Sequence, residues 1–128
     1  MDADGFGRLE PLTMYPQMQG QAVFKNAVER LLSVVGESLQ KHNLTANDVD
    51  LFCFHQANLR INEYVREVLH VPPEKVINNI ERYGNTTAAT LPSLLFEAEQ
   101  NGQLRRGMKV VLAAFGAGFT WGCSVMDW

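Results

Sequence analysis

Phe52-Cys53-Phe54-His55-Gln56-Ala57-Asn58-Leu59 is the stretch around which the chain is organised. The run from Val49 to Phe54, apolar apart from Asp50, delivers His55 to its end, and the polar Gln56 and Asn58 follow at once. A strand buried on both faces reads as a short continuous apolar run, and open α/β sheets hold ligands outside strand ends. His55 therefore stands where a strand presents a reactive side chain. Two later stretches are candidates to meet it: Gly84-Asn85-Thr86, and the glycine-rich Phe115-Gly116-Ala117-Gly118-Phe119-Thr120-Trp121-Gly122.

The pattern around this centre alternates helices and strands. Residues 1–20 hold three glycines, two prolines and three methionines without a clear period, an irregular leading segment resembling an interior loop exposed by truncation. From residue 21 to about 42, Val23, Ala27, Leu31, Val34, Val35 and Leu39 recur on one helical face. Thr45-Ala46-Asn47-Asp48 carries helix-cap chemistry and precedes the strand at 49–54. A second amphipathic helix opens at Asn58 or Leu59, with Ile61, Val65, Val68 and Leu69 inward, and Pro72-Pro73 ends it. Val76 to Ile80 reads as a short strand.

After Gly84-Asn85, a helix follows Thr86 and runs to about Gln100. Pro92 is expected within its first two turns, because a proline deep in a helix costs about 3 kcal/mol. Gly102 is its stop. Met108 to Ala114 and Phe119 to Met126 read as a hairpin bent at Gly116 and Gly118. Phe119, Trp121, Cys123 and Val125 make one face of the last strand bulky, while the other is mostly small. The small face predicts a close-packed neighbour. The whole is an α/β layered domain spanning residues 21–128.

With 128 residues, 46% hydrophobic and 20% charged, the chain suits one globular domain. Such a chain buries roughly two thirds of its unfolded surface. A net charge of −3 without a basic stripe argues against general nucleic-acid binding. No apolar run approaches about 18 residues and no charged-then-apolar leader opens the chain, so neither a membrane span nor a signal peptide is expected. Cys53 and Cys123 both lie in apolar strand-like runs, which suits reduced, buried thiols in a cytoplasmic protein. They are poor nucleophiles there, since nothing marks either as lying at a helix N-terminus. Cys53 and His55 share a strand face, but no second cluster with ligand spacing exists, so no metal site is expected. His42 and His70 sit at helix C-terminal ends, where a histidine meets the helix dipole favourably.

A neutral imidazole donates one hydrogen bond and a carboxamide two. Aimed at one point, His55 and Asn85 would polarise a carbonyl and stabilise an enolate forming on it, each such donor being worth about 10²–10³ in rate. His55 could equally cap a strand end, and Gly-Asn-Thr is ordinary turn chemistry. The Phe115 to Gly118 backbone could offer N–H groups to an oxyanion or simply bend a hairpin. It is not a dinucleotide fingerprint, because its glycine spacing is wrong and a strand follows it.

Together, His55-Gln56-Ala57-Asn58-Leu59-Arg60-Ile61, Arg82-Tyr83-Gly84-Asn85-Thr86 and Phe115 to Gly122 resemble the β-ketoacyl-acyl carrier protein synthase III family of thiolase-like condensing enzymes. Met18-Gln19-Gly20 leading into Val23-Phe24-Lys25 adds a fourth match, so the resemblance runs from about residue 18 to the end. It implies the C-terminal half of a thiolase-like fold, a mixed sheet with packed helices. It also implies decarboxylative condensation of a primer acyl-CoA with malonyl-acyl carrier protein. Coenzyme A and phosphopantetheine thioesters enter as substrates, and no cofactor is implied. His55 and Asn85 fall on the family's catalytic positions, Asn58 on a pantetheine contact, and Ala117 on the backbone of the oxyanion hole. Lys25 and Arg60 fall on positions that dock the acidic acyl carrier protein. The implied partners are the N-terminal half of the fold, which carries the nucleophilic cysteine, and a second copy in a homodimer. No residue here takes that cysteine's place, so the chain alone is expected to be incapable of condensation. A non-catalytic module of this fold, binding the carrier protein or a partner subunit, is the alternative. Relatives making secondary metabolites are a third reading.

Overall fold

In the computed structural model, which describes residues 18–128, the expected order of helices and strands is present with two changes. Helix α1 (Gly20–Lys41) is followed by strand β1 (Leu51–Phe54) and helix α2 (Leu59–Val68). Strand β2 (Val76–Ile77), the single-turn helix α3 (Ile80–Tyr83) and helix α4 (Thr90–Gln100) come next. Strands β3 (Lys109–Gly116) and β4 (Thr120–Asp127) close the chain. Most of the irregular leading segment expected over residues 1–20 lies outside the described residues.

The four strands form one mixed sheet in the order β2-β1-β3-β4. β1 runs parallel to both β2 and β3, and β4 returns antiparallel to β3 as the hairpin pattern predicts. The central β1 is buried along its whole length, which is why it reads as unbroken apolar sequence. Its side chains alternate between two cores. Phe52 and Phe54 join Val111, Ala113 and Phe115 beneath α1 and α2, with Leu31, Val35, Ile61 and Val65 filling the layer. Leu51, Cys53 and Val110 face Leu94, Ala98 and Leu104 on the α4 side. Helices on both faces make β1 the floor of the domain.

Both changes to the expected elements lie between residues 76 and 90, and Val68, expected inward on α2, is instead exposed. The strand expected over 76–80 stops at Ile77, because the amides of Asn79 and Ile80 turn inward to the Gln56 side chain, at 3.0 and 3.1 Å, rather than to a neighbouring strand. The helix expected after Thr86 begins as a single tight turn over Thr87–Ala89, and its regular part starts at Thr90. Pro92 then occupies the first turn of α4, where its missing N–H costs nothing. Gly84 ends α3 in a left-handed conformation (φ 67°) that a residue with a Cβ adopts only with strain.

The last strand differs from expectation in what covers it. α1 packs on its bulky face, where Cys123 and Val125 join the core and the Arg30 guanidinium stacks 4.6 Å from the Trp121 ring. Of the small face, expected to meet a close neighbour, Thr120, Gly122 and Ser124 are exposed, and a Cβ at Gly122 would meet nothing within 4 Å, while Met126 packs on the α4-side core. Thr45 and Asp48 form the expected capping box before β1, with Thr45 N–H and Oγ1 donating to Asp48 Oδ2 at 2.7 and 2.6 Å. The same two bonds hold the Asp48 carboxyl below its ordinary pKa. The His42 ring nitrogen Nδ1 lies 2.7 Å from the Ser38 carbonyl at the end of α1, which suits a histidine at a helix C-terminus.

Gln56 is the polar residue on which this arrangement turns. It is fully buried, and its carboxamide uses every hydrogen-bonding position it has. Nε2 donates to the Phe54 carbonyl (2.9 Å) and Asn78 Oδ1 (3.1 Å), while Oε1 accepts the N–H groups of Asn79 and Ile80. Asn62, buried on α2, donates to the same Asn78 oxygen at 2.9 Å. Gln56→Leu keeps the volume and strands two inward amides, so it is expected to lower stability by about 2–4 kcal/mol in urea unfolding. A loss below that of an exposed substitution would mean that the 78–80 segment is held some other way.

Candidate functional site

Strand β1 ends at Phe54, and the His55 amide still bonds across the sheet to the Ala113 carbonyl at 2.9 Å. That last ladder bond fixes the backbone from which the half-buried imidazole projects. His55 lies on the same sheet face as Cys53, toward α4, and its Nδ1 stands 2.6 Å from Thr90 Oγ1 in the first turn of that helix. Burial pushes the imidazole pKa below its ordinary value, so the ring is neutral at neutral pH.

Thr90 carries the connection onward. Its Oγ1 lies 3.0 Å from the Thr87 carbonyl, and the Thr87 amide donates to Asn85 Oδ1 at 2.9 Å. His55 and Asn85, thirty residues apart in sequence, are thus joined by a chain of contacts through Thr90 and Thr87. Thr87 has a positive φ of 52°. Such a conformation is a genuine outlier for a β-branched residue and costs about 1–3 kcal/mol. The Asx turn from Asn85 holds it. Because the Asn85 oxygen is occupied by that turn, its NH₂ group remains to donate, and the residue itself is exposed.

The remaining expected positions surround this chain without direct contact to it. Asn58 is the N-cap of α2, its Oδ1 accepting the Arg60 amide at 3.0 Å. It shares with His55, Ala57 and Phe115 a cleft of about 20 Å³, room for roughly one water. Ala117 is exposed in the bend between β3 and β4. Lys25 lies exposed on α1, 3.9 Å from Glu29, and Arg60 is exposed at the start of α2.

Burial keeps both thiols protonated. Burial raises the Cys53 pKa to about 12. It also raises that of Cys123, against a smaller lowering by a hydrogen bond from Ser38. Among the described residues, no three His, Cys, Asp or Glu side chains gather as a metal would require. Among these residues, too, no helix is long and apolar enough to cross a membrane.

A larger cleft, about 220 Å³, lies beyond β2 and is lined by Asn78, Arg82, Glu97, Asn101 and Gln103. Its charged groups are committed to structure. Glu97 accepts from Asn79 Nδ2 (3.0 Å), Arg82 (2.8 Å) and Tyr83 Oη (2.8 Å), so one carboxylate on α4 fastens α3 and with it the start of the Asn85 loop. The bonds from Asn79 and Tyr83 lead in holding the Glu97 pKa below 4.5, and the phenol of Tyr83 rises in return.

Thr90, Thr87, Gln56 and Glu97 are the site residues that sequence reading passes over. Thr90 and Gln56 left a signal: each is a polar residue where the apolar pattern of its element calls for burial.

The residues from 39 to 128 match the family profile described as 3-Oxoacyl-[acyl-carrier-protein (ACP)] synthase III C terminal. The chain is 45% identical over 114 residues to the beta-ketoacyl-acyl-carrier-protein synthase III of Campylobacter jejuni, covering 89% of this chain and 35% of that protein. It is similar to the crystal structure of the 3-oxoacyl-acyl-carrier-protein synthase III of Aquifex aeolicus, with a TM-score of 0.87 and 40% identity over 89% of this chain and 37% of that one. The corresponding Thermus thermophilus structure gives a TM-score of 0.85 and 46% identity over 88% and 35% of the two chains. The chain spans about a third of the length of the curated relatives it matches.

The depressed pKa values of His55 and Glu97 predict acid sensitivity. The depressed imidazole means that the unfolded chain takes up the His55 proton first, so stability falls once the pH drops below the ordinary value of 6.5. The depressed Glu97 carboxylate adds a second loss below its ordinary 4.5. Glu97→Gln should shrink the lower step, to which the depressed Asp48 carboxyl also contributes, and leave the upper one, as read from unfolding midpoints against pH. Two unchanged steps in that variant would mean that Glu97 does not fasten α3.

Proposed function

The chain belongs to the 3-oxoacyl-acyl-carrier-protein synthase III family, as the C-terminal part of its thiolase-like fold, and we propose from this that it is the half of a fatty-acid-initiating condensing enzyme that handles the extender unit. The reaction joins a primer acyl-CoA to malonyl-acyl carrier protein by decarboxylative Claisen condensation. A cysteine on the N-terminal half takes the primer acyl group. The malonyl carboxylate leaves as carbon dioxide, its electron pair becomes an enolate on the thioester, and the enolate carbon attacks the acyl-cysteine carbonyl and expels the thiolate.

Charge builds on the malonyl thioester oxygen as carbon dioxide leaves, and the two donors of this chain meet it there. A neutral His55 donates from Nε2, and Asn85 donates from Nδ2. The observation that carries the reading is the contact chain from His55 through Thr90 and Thr87 to Asn85, which leaves His55 Nε2 and the Asn85 NH₂ uncommitted at its two ends. Donors already oriented cost no reorganisation when the charge appears, and that is the source of their effect on rate. The N–H groups about Ala117 serve the acyl-cysteine oxygen, and Asn58 meets the pantetheine arm with its free NH₂. Lys25 and Arg60 draw the acidic carrier protein to the mouth of the site. The whole protein works as a homodimer in the cytoplasm. The same fold without its cysteine is the competing reading, a non-catalytic module that binds carrier protein. It is favoured by one observation: both thiols here are held protonated by burial.

Reassembly with an N-terminal half that carries the reactive cysteine separates the two. His55→Ala and Asn85→Ala are each expected to slow malonyl-thioester decarboxylation by about 10²–10³. Unchanged decarboxylation in both would remove their assigned roles and leave the binding module. Lys25→Glu and Arg60→Glu should raise the KM for malonyl-carrier protein, with little change in kcat and a weaker dependence on salt. Equal effects with malonyl-CoA as substrate would place these residues outside carrier-protein docking.

A further inference from the structure

We infer that Thr90 is a positioning residue that sets the tautomer of His55: its hydroxyl donates to Nδ1 and so holds the ring proton on Nε2. A threonine hydroxyl has one proton, and here it has two acceptors within reach, His55 Nδ1 at 2.6 Å and the Thr87 carbonyl at 3.0 Å. The two choices have opposite consequences. A proton sent to the Thr87 carbonyl leaves Thr90 Oγ1 to accept, so Nδ1 must carry the ring proton and Nε2 presents a lone pair. A proton sent to Nδ1 puts the ring proton on Nε2, which then donates.

Three features of the geometry favour the second choice. The Thr87 carbonyl already accepts the backbone N–H of Thr90, so it is satisfied without the hydroxyl. Thr90 is the only hydrogen-bond partner of the His55 ring among the described residues, so Nδ1 depends on it alone. The 2.6 Å contact is short for a ring N–H donor, whose bonds to oxygen run about 2.7–3.2 Å. Thr90 is itself buried, so water does not compete for its proton. Its backbone is placed by the start of α4, and the Ser93 hydroxyl returns to the Thr90 carbonyl at 2.9 Å, fixing that first turn.

The consequence for catalysis rests on the synthase reading, since a polarising His55 needs a proton on Nε2. The tautomer itself does not. Long-range ¹H–¹⁵N correlation spectra of the ¹⁵N-labelled 128-residue chain, recorded near pH 8.5, about two units above the ordinary imidazole pKa, read the two ring nitrogens directly. The His55 signals are identified by their loss in His55→Gln. The expected pattern is an unprotonated Nδ1 and a protonated Nε2 in the natural chain, kept in Thr90→Ser and giving way to a mixture of both forms in Thr90→Val. A ring proton on Nδ1 in the natural chain overturns the inference, and so does a Thr90→Val spectrum that matches it. The natural chain and the serine variant decide the matter even if the valine variant unfolds. Decarboxylation by the reassembled enzyme reports separately. The expected tautomer with decarboxylation indifferent to His55 supports the role of Thr90 in setting the ring and sinks the synthase reading. Thr90→Val slowing decarboxylation while Thr90→Ser restores it ties the tautomer to the chemistry.

Discussion

The Gln56 carboxamide is the constraint on which the site depends. A buried amide left unpaired costs a few kcal/mol, so a glutamine with all four of its hydrogen bonds made inside the protein permits very few alternative positions for its partners. Those partners are the end of β1, which carries His55, and residues 78–80, which lead through α3 to Asn85. One side chain therefore fixes the spacing between the two segments that carry His55 and Asn85. Asn62 and Glu97 extend the same principle outward. Asn62 pins Asn78 from α2, and Glu97 pins Asn79, Arg82 and Tyr83 from α4, so the segment is held from both helical layers.

This polar seam sits beside two hydrophobic layers that meet only through the sheet. The aromatic side of β1 serves α1 and α2, and the small side, with Leu51 and Cys53, serves α4. His55 continues the second side beyond the end of the strand, which is why its partner is the first buried residue of α4 and not a group on α1. The alternation that keeps Cys53 buried, and its thiol protonated, is the alternation that aims the imidazole at Thr90. Chemistry and packing share one period-two pattern. Thr120, Gly122 and Ser124 on the small face of β4 lie apart from both layers and are exposed.

Much of this was readable in the linear text. Four apolar residues in a row at Leu51–Phe54 signal a strand buried on both faces, and the spacing of Val23, Ala27, Leu31 and Leu39 signals α1, because burial imposes those periods on any sequence. The run from His55 to Ile61 and the later glycine-bearing motifs pointed to the family that the comparisons bear out. What was hard to read lies between 76 and 90. There the backbone pairs with side chains distant in sequence, such as Gln56, so local propensity had no hold on it. Val76 to Ile80 looks like a strand by composition and ends early because two of its amides are claimed from elsewhere.

His55 as a strand-end group and Asn85 in a polar turn follow from residue type and local pattern, which need no third dimension. The link between His55 and Asn85 does not. It passes through Thr90, thirty-five positions from His55, and through a carbonyl and an amide of Thr87 that carry no sequence signature at all. Backbone groups are the same at every residue, so only the folded chain decides which of them a side chain meets. For the same reason, sequence can name a histidine, while the neighbour at Nδ1 decides which of its nitrogens holds the proton.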